Sequence, residues 1–216
     1  MPVRPLTHRL AICERVVSTI FLRRDVEVEK PLELTLEFLG AFSTYEGPDS
    51  SAPSSFDESD LRRANRGGAR ISAPQIREIL ERCGEIEQAL RGIEADASLA
   101  ARVVPWDSLR RLFDAFADIR GVGFSKTTKA LHPKRPALIP MLDSVVQTYL
   151  TDRDPRSLAT GSFGERGTAL VRSYKRDLDR NRSALLELRQ ELASRGYRLT
   201  EVRILDVVIW SACAAS

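Results

Sequence analysis

This chain has few of the residues that usually announce chemistry. Its 216 residues include three cysteines, two histidines and only 6% aromatic side chains. The cysteines (Cys13, Cys83, Cys213) are odd in number, far apart and in no metal-ligand spacing. They exclude a zinc or iron–sulfur quartet, point to no metal and suit a reducing compartment. No apolar run approaches the length of a membrane span, and the N-terminus carries no signal-type apolar region, so a cytoplasmic protein with no membrane partner is expected. Charge of one sign is also scarce. Thirty-three basic residues against thirty acidic leave a net charge of +3. A nucleic-acid partner must therefore be gripped by local clustering rather than by overall charge.

Such a cluster exists. From Ile119 to Pro136 the chain carries Arg120, Lys126, Lys129, Lys134, Arg135 and His132 with no acidic residue. The same stretch opens on a Gly121-Val122-Gly123 turn between two helical patterns. Glycines without Cβ atoms let backbone approach a phosphate closely, and the N–H groups at the start of the next helix favour an anion. Gly121, Val122, Gly123, Ser125, Lys126 and Lys129 are thus the expected phosphate-binding set, with Arg120, His132, Lys134 and Arg135 as secondary DNA contacts. Contacts of this kind position duplex DNA without reading its sequence. His132, at a helix end, also suits a capping role. A lone acid, Asp143, stands before SVVQTYL where an N-cap belongs.

The remaining pattern is helical and predicts one all-α domain over 1–216. Residues 7–22 are ambiguous between helix and strand. A helix starts near Pro31, a Gly/Pro/Ser-rich loop occupies 44–56, and Asp57 caps a short helix ending at Gly67-Gly68. Ser72 with Pro74 opens another helix. Leu109, Leu112, Phe113 and Phe116 form one apolar stripe over 106–117. In the C-terminal helices, 165–213, the residues Val171, Tyr174, Leu178, Asn181, Leu185, Leu188 and Leu192 recur at alternating spacings of three and four. This seam predicts one long helix over 165–195 that packs along another apolar surface, either the terminal helix 200–213 or its own copy in a homodimer, with Asn181 setting register. The last segment, EVRILDVVIWSACA, is apolar nearly all round and is expected to be buried.

Ile119-Arg120-Gly121-Val122-Gly123 with Asp143 in IPMLDSVV resembles the helix-hairpin-helix motif of the base-excision DNA glycosylase superfamily, over roughly 106–150. The whole chain also resembles a bacterial family of uncharacterised proteins that carries the same GVGFSK, LHPKRP and IPMLD phrases. The first resemblance implies a DNA N-glycosylase with no cofactor and with Asp143 as the catalytic carboxylate. Members of that superfamily that also cleave the strand place an amine two residues after the second glycine. That position here is Ser125, and Lys126 is turned from it by about 100° on a helix. The implied reaction therefore uses water, with Asp143 stabilising positive charge at the anomeric carbon of an extruded nucleotide. Phe124, Trp106, Tyr149 and Trp210 are the candidate base-stacking residues. Two other readings stand beside this one: a DNA-binding module without turnover, and an interaction protein in which the glycine turn is only a fold element.

Overall fold

Local capping signals set most of the helix boundaries. The computed structural model describes residues 17–41, 52–151 and 160–214, and it is mostly helical. A two-stranded antiparallel hairpin, β1 (Ile20–Phe21) and β2 (Glu27–Val28), precedes α1 (Pro31–Ala41). Then come α2 (Glu58–Arg66), α3 (Ala73–Glu81), α4 (Cys83–Arg91), α5 (Trp106–Asp114), α6 (Phe124–Leu131) and α7 (Ser144–Leu150). The chain closes with α8 (Phe163–Arg180), α9 (Arg182–Ser194) and α10 (Glu201–Ala214). Asp57 caps α2 in a reciprocal box with Asp60, Pro74 lies in the first turn of α3, and Ser162 caps α8 with Glu165. Each device satisfies N–H groups that a helix start leaves unpaired. The segment 7–16 and most of the loop expected at 44–56 lie outside the described residues; Ala52–Ser55 forms a turn.

The buried apolar side chains form one contiguous cluster to which every helix contributes. Helix α10 runs through it, with Val202 to Ile209 all buried, and packs on α1, α7, α8 and α9. Helix α5 lies chiefly along α8, and two glycines allow the close approach. A Cβ on Gly164 would meet Arg110 O and the Asp114 carboxylate, and one on Gly167 would lie 2.7 Å from the Phe113 ring. Asp114 Oδ1 accepts from Gly164 N at 2.6 Å, so the end of α5 caps the start of α8.

The heptad seam is buried and its helices pack on α10, one of the two expected partners, but the helix is not continuous. All seven of its residues are buried within the chain. The helix expected over 165–195 is two helices, broken at Asn181 (φ −101°, ψ 16°). Asn181 is buried and bonded within the chain. Its Oδ1 accepts from Phe21 N at 2.7 Å and its Nδ2 donates to Phe21 O at 2.9 Å. The amide thus bonds β1 much as a neighbouring strand would, which gives the short hairpin an anchor that its own length cannot supply.

Candidate functional site

The Gly121–Gly123 turn has the local geometry that its sequence implies. Gly121 sits at φ +74°, a left-handed conformation suited to glycine, and a Cβ there would lie 2.7 Å from Gln75 Nε2. Val122 is buried, and its N–H donates to Ile119 O at 3.0 Å. Gly123 is the N-cap of α6, exposed, with open space above it. Helix α6 has no side-chain cap, so its first N–H groups, from Phe124 and Ser125, lack the partner a cap would supply. The helices on either side have separate supports: α5 packs mainly on α8 and α4, and α6 mainly on α2.

The basic run divides in two. Lys126 and Lys129 are half-buried and tie α6 to the α2–α3 region: Lys126 Nζ donates to Gln75 Oε1 at 2.7 Å and Lys129 Nζ to Gly67 O at 2.9 Å. Arg120 is exposed beside the turn and Ser125 is half-buried. The remaining three are corrections to the expected DNA contacts, because they are interior groups. Arg135 is 1% exposed and its guanidinium donates to the carbonyls of Pro53, Lys134, Leu90 and Ile93. Lys134 is buried in an ion pair with Asp60 at 2.9 Å. His132 Nδ1 lies 2.6 Å from Ile139 O. A carbonyl can only accept, so Nδ1 carries the proton. Burial, aided by the charge of Arg203, pushes the His132 pKa down to about 3.

Asp143 caps α7, with Oδ1 accepting from Val146 N at 3.0 Å. That uses one carboxylate oxygen. The side chain also borders a pocket of about 250 Å³ at the junction of α1, α2, α6, α7 and α10. Lys129, Arg203, Asp206, Phe38 and Trp210 share its lining, with Arg66 and Gly67-Gly68 on the α2 side. Burial pulls the Lys129 pKa down, and the facing charge of Asp143 opposes that shift. Phe38 and Trp210 meet edge to face at 5.4 Å between centroids, and the Arg203 guanidinium lies over the Phe38 ring. Asp206 is buried, and burial pushes its carboxyl up to about 8 against the opposing charge of Arg203.

Of the four aromatic candidates, Trp210 alone borders this pocket. Phe124 stacks on Phe163 at 4.4 Å, and Trp106 lies under Arg172. Tyr149 lines a separate pocket of about 360 Å³, and its hydroxyl accepts from Arg23 N. Phe38, Arg203 and Asp206 were missed. A signal for the last two was present: Arg203, Asp206 and Trp210 stand at i, i+3 and i+7 in a helix otherwise apolar from Val202 to Ile209, and so share one face. Among the described residues, no group of three or more His, Cys, Asp or Glu side chains could hold a metal, and no helix is long and apolar enough to cross a membrane.

Fold and site together define an all-α protein with a mixed-charge, aromatic-walled pocket and, at the start of α6, a glycine turn without a side-chain cap. The chain belongs to a family described as "Family of unknown function (DUF6308)", which matches residues 36–213 and so spans the turn, the pocket and α10. No curated protein and no solved structure matches it.

Proposed function

We propose that the protein binds duplex DNA through the Gly121–Gly123 turn and acts as a monofunctional N-glycosylase on a modified or damaged base received in the Asp143 pocket. The observation that carries this reading is the pocket itself. A carboxylate and a lysine ammonium face each other beside two aromatic rings, and the lysine stands on α6, the helix that follows the glycine turn. Lys129 lies five residues along α6 from Phe124, a rise of about 7.5 Å, so a strand held at the turn is within one nucleotide's reach of the pocket. An extruded base would lie against Trp210 and Phe38, with its sugar towards Asp143.

In the reaction the bond between C1′ and the base nitrogen breaks and the bonding pair leaves with the base. Water adds to C1′, one of its protons passes to Asp143, and that proton goes on to the departing base. Asp143 also stabilises the positive charge that develops on the sugar. Lys129, bonded to Gly67 O, holds the site electropositive towards the phosphates on either side. The chemistry needs no cofactor.

The test is release of free base from duplexes carrying uracil, oxidised purines or alkylated purines, with alkali to reveal abasic sites. Wild type should release one of them. Asp143→Asn should keep fold and DNA binding, because Asn caps a helix about as well as Asp, and should lose release. Release at the wild-type rate in Asp143→Asn would overturn the catalytic assignment. The cap bond to Val146 favours a second reading, in which Asp143 is structural and the protein binds DNA without turnover. DNA binding with no release on any substrate supports that reading.

A further inference from the structure

Helix α10 buries two charged residues, Arg203 and Asp206, in an apolar stretch. A buried polar group costs folding free energy unless it is hydrogen-bonded, and Asp206 is only half satisfied. Its Oδ2 accepts from Met141 N at 3.0 Å, while Oδ1 is buried with no hydrogen-bond partner. The neighbouring Tyr174 hydroxyl gives its one proton to Val202 O at 2.6 Å, so although it interacts with Asp206 it is not that carboxyl's donor. Asp206 lines the same pocket as Asp143, Phe38 and Trp210. Asp206 and the aromatic wall therefore border one cavity.

We propose that Asp206 is the recognition group of this pocket, its Oδ1 hydrogen-bonding to a ring nitrogen or carbonyl oxygen of a planar heteroaromatic base that lies against Trp210 and Phe38. The inference rests on the reading of the pocket as a base site and adds what the site selects. The ionisable groups facing Asp206 are Arg203 on its own helix, Tyr174 on α8 and Asp143 at the head of α7. Lys129 of α6 and Arg66 of α2 complete the pocket's charges; α1 adds Phe38, and α9 adds no lining residue. Burial outweighs the attraction of Arg203, so the carboxyl stays neutral up to about pH 8 and Oδ1 can carry a proton. A neutral acid donates where a carboxylate can only accept. A ligand with an acceptor at that point satisfies the buried group, and an isostere with C–H there leaves it unpaired, which a polar site rejects strongly.

The experiment uses the full chain with Trp106→Phe, which leaves Trp210 as the one tryptophan. Its fluorescence is titrated with adenine, hypoxanthine, cytosine and uracil, and with the analogues of the tightest binder in which one ring nitrogen is replaced by C–H. One analogue should bind at least about tenfold more weakly than its parent. Affinity of the parent base should fall at least about tenfold between pH 7 and pH 9.5, as the donor is lost. Asp206→Asn keeps a donor that does not titrate, and should bind with a flat profile over that range. No quenching by any base, equal binding of every analogue, or a pH profile that persists in Asp206→Asn (which would assign it to Lys129) would overturn the proposal. Base binding of this kind without base release removes the glycosylase and leaves the inference standing. Base release with analogue-blind, pH-independent binding removes the inference alone.

Discussion

Lys134 and Asp60 form an ion pair at 2.9 Å with both side chains essentially inaccessible to solvent. The pair joins α2 to the segment after α6, and the ammonium also donates to Ala52 O at 3.3 Å. A buried pair loses hydration on both sides, so removing one partner leaves the other as an uncompensated charge. Lys134→Ala should therefore lower stability by about 3–5 kcal/mol, as should Asp60→Ala. The double variant Lys134→Met with Asp60→Leu should recover much of the loss. Urea denaturation of the four proteins tests this, and equal losses in the single and double variants would contradict it.

Whether a basic run faces solvent is decided by tertiary partners, and this explains what was and was not legible in the sequence. Helix starts were legible where a capping residue stood out: Asp57 and Asp143 cap their helices, whereas α8 starts at Phe163 behind Ser162, ahead of the expected residue 165. The fate of Lys134 was not, because Asp60 comes from a helix far away in the chain. Periodicity located every buried residue of the α8–α9 seam but could not show the break at Asn181, whose partner is the backbone of Phe21. Strands as short as Ile20–Phe21 and Glu27–Val28 have no periodicity to read. Asp143 and Trp210 were legible one at a time as site candidates. Their shared pocket required the placement of α7 against α10.

The glycines of α8 supply a second prediction. A Cβ on Gly164 would run into the Arg110 carbonyl and the Asp114 carboxylate, and backbone cannot rotate away as a flexible side chain can. Gly164→Ala should therefore destabilise by about 1–3 kcal/mol, despite alanine's better helix propensity, because it overpacks the α5–α8 contact. The midpoint of thermal or urea unfolding checks it. A gain in stability would show that α5 and α8 can separate at low cost.

His132 and Asp206 should tilt stability with pH in opposite directions. The His132 pKa falls from the ordinary 6.5 to about 3 in the fold, mainly through burial. The unfolded chain therefore binds a proton between these values that the native protein refuses. Stability conferred by neutral His132 is present above pH 6.5 and is lost as pH falls towards about 3, at up to about 1.4 kcal/mol per unit. For Asp206 the folded value is raised to about 8, so its contribution is present at low pH and is lost as pH rises from the ordinary carboxylate range through about 8. His132→Gln should lower the slope of stability against pH between about pH 4 and 6.5, and Asp206→Asn should raise that slope from about pH 4 to 8. Denaturation midpoints collected from pH 4 to pH 9 decide both, and unchanged slopes would refute the burial argument.

The last prediction separates the glycine turn as a phosphate grip from the turn as a fold element. Gly123 has φ −102° and ψ −175°, extended backbone open to any residue, with nothing near the position of a Cβ. Gly123→Asp should fit without strain. Its carboxylate can accept from the first N–H groups of α6, and it should hold or raise stability by about a few tenths of a kcal/mol. If those N–H groups hold a DNA phosphate, the same change occupies the donors and places a negative charge at the contact. DNA affinity should then fall at least about tenfold at low salt, and the slope of log affinity against log salt should shrink by about one. Lys126→Ala should reduce the slope by a similar amount. Lys134→Ala, which removes an interior charge, should leave the slope unchanged at any temperature where it stays folded. Fluorescence anisotropy of a labelled duplex at several salt concentrations measures all three. Wild-type binding in Gly123→Asp would mean that the turn serves only to join α5 to α6, and that any DNA contact lies elsewhere on the surface.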